Sequence, residues 1–177
     1  MQSSANIPSL TTPQTGAEPD RAGFGAPPAD YAQKIHTIYD YWLAKKGTAR
    51  VADRKDLDPI IEIPKLLSGV WLVDIIHTQP RRFTYRLIGS DLTRAGVDSK
   101  VGDDIDSRTS GEDAHATIMD LNRACEEQVP YWRSGTPRIV HDRFVKGLEV
   151  IFLPLTVDRS PEVKMFMNMT VFRWRSQ

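Results

Sequence analysis

Leu148–Trp174 reads LEVIFLPLTVDRSPEVKMFMNMTVFRW. From Leu148 to Val157 the chain alternates, with Ile151, Leu153, Leu155 and Val157 on one face, which is the period of a β-strand. Asp158-Arg159-Ser160-Pro161 is a turn. Glu162–Trp174 then alternates with apolar groups on both sides. Met165, Met167, Met169 and Val171 point one way, Phe166, Phe172 and Trp174 the other, with Asn168 and Thr170 among the latter. A strand that is apolar on both faces lies inside a sheet covered on both sides.

Upstream, Val70–His77 and Arg82–Ile88 flank Gln79-Pro80 and predict an antiparallel hairpin. Alternation puts Phe83, Tyr85 and Leu87 on one face and Arg82, Thr84 and Arg86 on the other. Gly89-Ser90-Asp91 ends that strand and opens a short helix through Arg94. Residues 103–128 predict a longer helix, capped by Ser110 or Asp113, with Ala114, Ile118, Leu121 and Cys125 at helical spacing and Pro130 as its stop. Val129–Trp132 with Arg138–Val145 predicts one long or broken strand around Gly135 and Pro137.

The chain begins with a segment, residues 1–29, rich in Pro, Ser, Thr and Gln and predicted to be a flexible tail. An amphipathic helix follows from Asp30 to Gly47, with Tyr31, Ile35, Ile38, Tyr39, Trp42 and Leu43 on one stripe. Residues 48–69 hold two prolines and dense charge, the mark of an irregular connector with a turn of helix over Ile60–Leu67. The order defines an α+β domain over residues 30–177. It has a five-stranded antiparallel sheet, helices on one face, and an N-terminal amphipathic helix able to cover the other.

Composition narrows the function. The 177 residues carry 23 Lys+Arg and 23 Asp+Glu, which argues against a general DNA-binding protein or a polybasic membrane anchor. One cysteine excludes an internal disulfide framework. No apolar run has the length of a membrane span, and the N-terminus lacks a signal-peptide pattern, so a cytoplasmic location is expected. The histidines His36, His77, His115 and His141 show no metal-ligand spacing; His115 is the first candidate were a metal or haem bound. Asp98, Asp103, Asp104 and Asp106 lack the glycine and closing glutamate of a calcium loop. No nucleophile elbow, phosphate-binding loop or dinucleotide fingerprint is present. No cofactor is required by any motif, and none is identified.

Several short motifs recur in one order. They are Tyr41-Trp42; Arg54 with Asp56-x-Asp58-Pro59; Ile63-Pro64-x-Leu66-Leu67; Asp74; Arg82-Phe83-x-Tyr85-Arg86-Leu87-x-Gly89; and Phe152-Leu153-Pro154-Leu155. In these residues, over about 35–172, the chain resembles a bacterial family of single-domain PAS-like proteins. The resemblance implies a PAS-type sensor or interaction fold, with no defined ligand and no general enzymatic activity. Arg123-Ala124-Cys125-Glu126 does not match the context of a flavin-adduct cysteine, so Cys125 reads as a buried structural thiol.

The function expected is that of a non-catalytic sensory or adaptor protein. It would bind a small molecule, a protein partner, or both, and signal through homodimer or partner contacts. The candidate pocket residues are Phe83, Tyr85, His115, Trp132, His141, Phe152, Met165, Met167, Asn168 and Met169, with Thr170 and Arg143 as further polar groups. The candidate interface is Tyr31, Ile35, Ile38, Tyr39, Trp42 and Leu43. Arg81, Arg82, Arg86, Arg133, Arg138, Arg143, Arg173 and Arg175 form either a solvated sheet face or a basic stripe for an anion. Two alternatives stand beside this reading: a small isomerase or hydrolase using His141, Asp74 and Tyr85, and a structural interaction module without a ligand.

Overall fold

The computed structural model describes residues 20–105, 112–137 and 144–175. Its strands are β1 (Arg21–Phe24), β2 (Ala52–Asp53), β3 (Val70–Ile76), β4 (Arg82–Leu87), β5 (Tyr131–Gly135), β6 (Val145–Thr156) and β7 (Met165–Trp174). They make one seven-stranded sheet, two strands more than the sequence predicts. Six run in the order β1-β5-β6-β7-β3-β4, each antiparallel to its neighbours, and β2 lies parallel to the end of β6. Around the sheet pack α1 (Gln33–Lys46), α2 (Pro59–Glu62), α3 (Ser90–Arg94) and α4 (Glu112–Glu127).

Strand β7 is central, between β6 and β3, as its two apolar faces require. Met165, Met167 and Met169 enter a core with α1 residues Ile35, Ile38 and Trp42. Phe166 enters a second core on the opposite face, with Leu121, Ala124 and Cys125 of α4 and Leu92 of α3. The helices therefore lie on both faces.

Helix α1 starts three residues later than predicted. Asp30 is not its cap; its carboxylate pairs with Arg21 at 2.7 Å. The first turn instead offers the Ala32 N–H to Glu149 at 2.6 Å, a carboxylate at the positive end of the helix dipole. Gly47 ends the helix at φ 51°, where a side chain is disfavoured. Its N–H reaches the Leu43 carbonyl, and Lys45 and Lys46 occupy the last turn.

The connector ties α1 to the sheet. Asp53 is buried and accepts from Thr156 Oγ1 at 2.9 Å, Arg159 N at 2.7 Å and Lys55 N at 3.2 Å. Burial works against the charged form, but these three donors outweigh it and hold the carboxyl below its ordinary pKa. The Asp53 contacts fasten β2 to the β6–β7 turn, where Asp158 and Arg159 have positive φ.

Other boundaries move for identifiable reasons. Residues 21–24, part of the predicted tail, pair with β5 as an edge strand. Gly135, at φ 125°, has no room for a Cβ beside Asp20, whose carboxylate accepts the Thr136 N–H at 2.8 Å. Residues 103–105 are not helical; Ile105 N donates to Phe83 O at 2.7 Å and Tyr85 N to Asp103 O at 2.9 Å, covering the edge of β4. The predicted broken strand is β5 alone on its first side, while Val145 begins β6. Ser110, Arg138, His141 and Arg143 lie outside the described residues, as do the side chains of Asp113 and Ala114.

Candidate functional site

The α4-side face is aromatic. Trp71 stands 5.7 Å from Tyr85 and 5.5 Å from Phe152 between ring centroids, and Tyr131 stands 5.4 Å from Phe152. Antiparallel register sets Asn168 directly between Trp71 on β3 and Phe152 on β6. Thr170, two residues on, shares that face and accepts the Trp71 indole N–H at 3.0 Å. Asn168 has no such partner. It is 0% exposed, and neither its Oδ1 nor its Nδ2 makes a hydrogen bond. Such a buried amide is costly and calls for an explanation.

Tyr85 is a second polar group on this face. Its hydroxyl is buried without a well-formed hydrogen bond. Burial pushes its pKa up to about 12, with Ser99 near enough to oppose the shift but not to satisfy the group. Next to Trp71 and Thr170 lies a cavity of about 30 Å³, bordered also by Thr117, Arg133 and Phe172. That volume admits a water but no metabolite. Arg133 is buried beside it, donating to Thr136 O at 2.8 Å and standing 3.6 Å from Asp20.

The ten candidate pocket residues do not form one pocket. Phe83, Tyr85, Phe152 and Asn168 share the α4-side face, whereas Met165, Met167, Met169 and Trp132 pack on the α1 side. Strand alternation forbids the two sets from lining one cavity. His115 is exposed on α4 and faces no cavity among those described, and His141 lies outside the described residues. Asp74 and Tyr85 of the enzymatic alternative sit on opposite faces; Asp74 instead pairs with Arg86 at 3.2 Å.

The candidate interface is likewise corrected. Tyr31, Ile35, Ile38 and Trp42 are buried in the chain's own core, and Tyr39 and Leu43 pack against it. Trp42 Nε1 also donates to Pro154 O at 2.9 Å. With α1 on the sheet only Tyr39 and Leu43 of this stripe keep exposed surface; the other four are reached only if the helix leaves. Among the described residues, arginines of the predicted stripe are taken up in separate ion pairs. Arg82 pairs with Asp104 at 2.8 Å, Arg86 with Asp74, and Arg173 with Glu149 at 3.3 Å. Cys125 is buried, and burial pushes its thiol pKa up. Among the described residues no cluster of His, Cys, Asp or Glu is placed to hold a metal. No helix among them is long and apolar enough to cross a membrane.

Sequence reasoning missed an open surface on the α1 side. Helix α1 covers β6 and β7, and toward β4 the face opens: Val70 is still buried, Leu72 is half-buried, and Leu87 is exposed. A bulge opposite Leu72 turns Leu87 onto this face, away from Phe83 and Tyr85, and leaves it 43% exposed. Leu87, Leu72, Val70 and Met167 line a groove of about 580 Å³ beneath Ile60 of α2, with Arg54 and Lys55 on its rim. The signal available in sequence was Ile60-Ile61 directly after Asp58-Pro59: a four-residue helix has too little surface to bury both.

A hairpin, helices and a three-stranded meander, joined in one mainly antiparallel sheet with its first and last parts adjacent, define the class as a single-sheet α+β domain. A PAS domain family model matches residues 32–169, and the chain belongs to that family. No curated protein and no solved structure matches it.

Proposed function

We propose that this PAS domain is a non-catalytic sensory module that takes up a small molecule on the α4-side face, around Asn168. The observation that carries the reading is the fully buried amide with neither polar atom paired. A ligand offering one donor and one acceptor, with an apolar body, would satisfy the amide and lie among Trp71, Tyr85 and Phe152. The cavity beside Trp71 is too small for it, so uptake requires α3 or α4 to shift. That shift is the signal, and it is bounded by the ligand's differential affinity for the two arrangements.

The test is mass spectrometry of the purified chain, native and then denatured, on wild type and Asn168→Leu. A reproducible bound mass that disappears in the variant supports the reading. An empty wild-type protein, made more stable by the substitution, sinks it. The adaptor reading then takes its place, favoured by the open apolar groove over β3 and β4.

A further inference from the structure

We infer that the ligand of the α4-side face is an aromatic monocarboxylate, held by Arg133 and Thr170 at its carboxylate end and by Asn168 at the other. This deepens the proposed function and rests on its reading of that face as a ligand site. The register builds two parallel rows there. Arg133 on β5 stands opposite Val150 on β6, and Val150 opposite Thr170 on β7; all three border the cavity. Two residues along, Tyr131, Phe152, Asn168 and Trp71 form the neighbouring row on the same face. The first row carries a charge and a hydroxyl, and the second is aromatic around one amide.

The first row calls for an anion. Arg133 is a cation in the cavity wall, only 3% exposed. Its contacts with Thr136 O at 2.8 Å and Asp20 at 3.6 Å are both made by Nη2, one corner of a fork with five donors. Asp20 is half-exposed, so water screens its charge from an anion placed in the cavity. Thr170 already accepts the Trp71 indole N–H, and among the described residues no acceptor takes its own O–H proton. A carboxylate seated over Val150 accepts from both sides. One buried cation balances one negative charge, which selects a monocarboxylate over a phosphate dianion. The two rows lie about 7 Å apart along the strands, the span of one benzene ring with substituents on opposite sides. A hydroxyl at the far end donates to Asn168 Oδ1 and accepts from Nδ2, the two atoms left unpaired. The approach has the matching sign. Thr170 and Phe172 also border a surface groove of about 380 Å³. There Asp91 pairs with Arg94 at 3.5 Å while Lys34 makes no ion pair, so the groove is net positive.

The test is isothermal titration calorimetry of the full chain with 4-hydroxybenzoate and with 4-hydroxybenzamide, which keeps the ring and hydroxyl but carries no charge. Wild type is expected to bind the acid at least about tenfold more tightly than the amide. Arg133→Gln should abolish that preference, with circular dichroism as the check on folding, and Thr170→Val should weaken the acid more than the amide. Where Arg133→Gln fails to fold, the comparison of acid with amide on wild type decides alone. Equal or tighter binding of the amide overturns the inference, as does an acid preference that survives Arg133→Gln. No binding of the acid at millimolar concentration overturns it equally. The bound-mass experiment separates this failure from that of the proposed function. A neutral native ligand that is lost in Asn168→Leu sinks the carboxylate and keeps the sensory site. An empty wild type that binds neither compound and gains stability in Asn168→Leu sinks both.

Discussion

Met167 and Asn168 are chain neighbours on one strand, both wholly buried, and they sit in opposite kinds of core. The Met167 side mixes methionines and branched aliphatics with aromatics and is closed over β6 and β7. α1 lies on it, and Trp42 fills the interior while its indole N–H meets the Pro154 carbonyl. The Asn168 side is aromatic and keeps an amide and a phenol unsatisfied. The Met167 side also holds polar atoms without a hydrogen bond, the Tyr31 hydroxyl and the Trp132 indole N–H, but Asn168 leaves both a donor and an acceptor unpaired, and under the proposed function it is the group that a ligand improves.

The largest test of that division is Trp42→Ala. It removes a fully buried indole from the closed face and leaves the Pro154 carbonyl without its donor. The expected loss is about 3–5 kcal/mol, read as the change in urea unfolding free energy. A loss below about 1 kcal/mol would mean that α1 is not what holds the closed face together.

Asp53→Ala comes next. It strands Thr156 Oγ1 and Arg159 N around the cavity it leaves, and hydrogen bonds to a charged group are worth about 1.5–3 kcal/mol. The pH dependence has a definite sign. The folded pKa lies below the unfolded one, so the stabilisation is complete above the unfolded value and fades as pH falls through the folded one. In the variant that part of the acid sensitivity should vanish. An acid unfolding curve identical to wild type would remove Asp53 from the clamp.

The alternation in β7 was readable because that strand is covered on both faces, and that in Phe83–Tyr85 because one face of β4 is buried and the other is not, so apolar period and burial coincide. Three features were not readable. Arg21–Phe24 has no strand alternation; its backbone is extended because β5 lies beside it. Leu87 follows the period of β4 in sequence, but the bulge reverses its direction. The pocket reading joined Met165 and Met167 to Phe83 and Phe152 by chemical type, against the strand period that sends them to opposite sides. Asn168 stood among the candidate pocket residues as a polar group able to orient a ligand, but its burial without a partner is visible only once the register sets it between Trp71 and Phe152.

Asn168→Leu tests the open-handed face by a gain. Replacing an unpaired amide by an apolar group of similar volume removes a desolvation cost without opening a cavity. The unliganded protein should become more stable by about 1 kcal/mol or somewhat more, seen as a higher denaturation midpoint at unchanged m-value. A loss of stability would show that the amide has partners in solution, such as ordered water, and that the two faces are more alike than their packing suggests.

The smallest effect concerns the outer surface of the closed face, where Glu62 of α2 accepts from Tyr41 Oη of α1 at 2.7 Å and pairs with Lys45 Nζ. Lys45 first, then Tyr41, hold the Glu62 carboxyl down at about 2. Glu62 in turn pushes the Tyr41 hydroxyl up, adding to the effect of burial. Because the folded pKa is depressed, the contact contributes fully above the unfolded carboxyl value. It is lost as pH falls from there toward about 2. The group is open to solvent, so screening keeps the contribution small. Glu62→Gln should therefore lower the melting temperature slightly at pH 7, less in high salt, and the difference from wild type should shrink steadily as pH falls from about 4 toward 2. A gap that holds constant across that range would mean the α1–α2 contact rests on the packing of Tyr41 rather than on charge, and the closed face would then owe its outer edge to the same apolar burial as its interior.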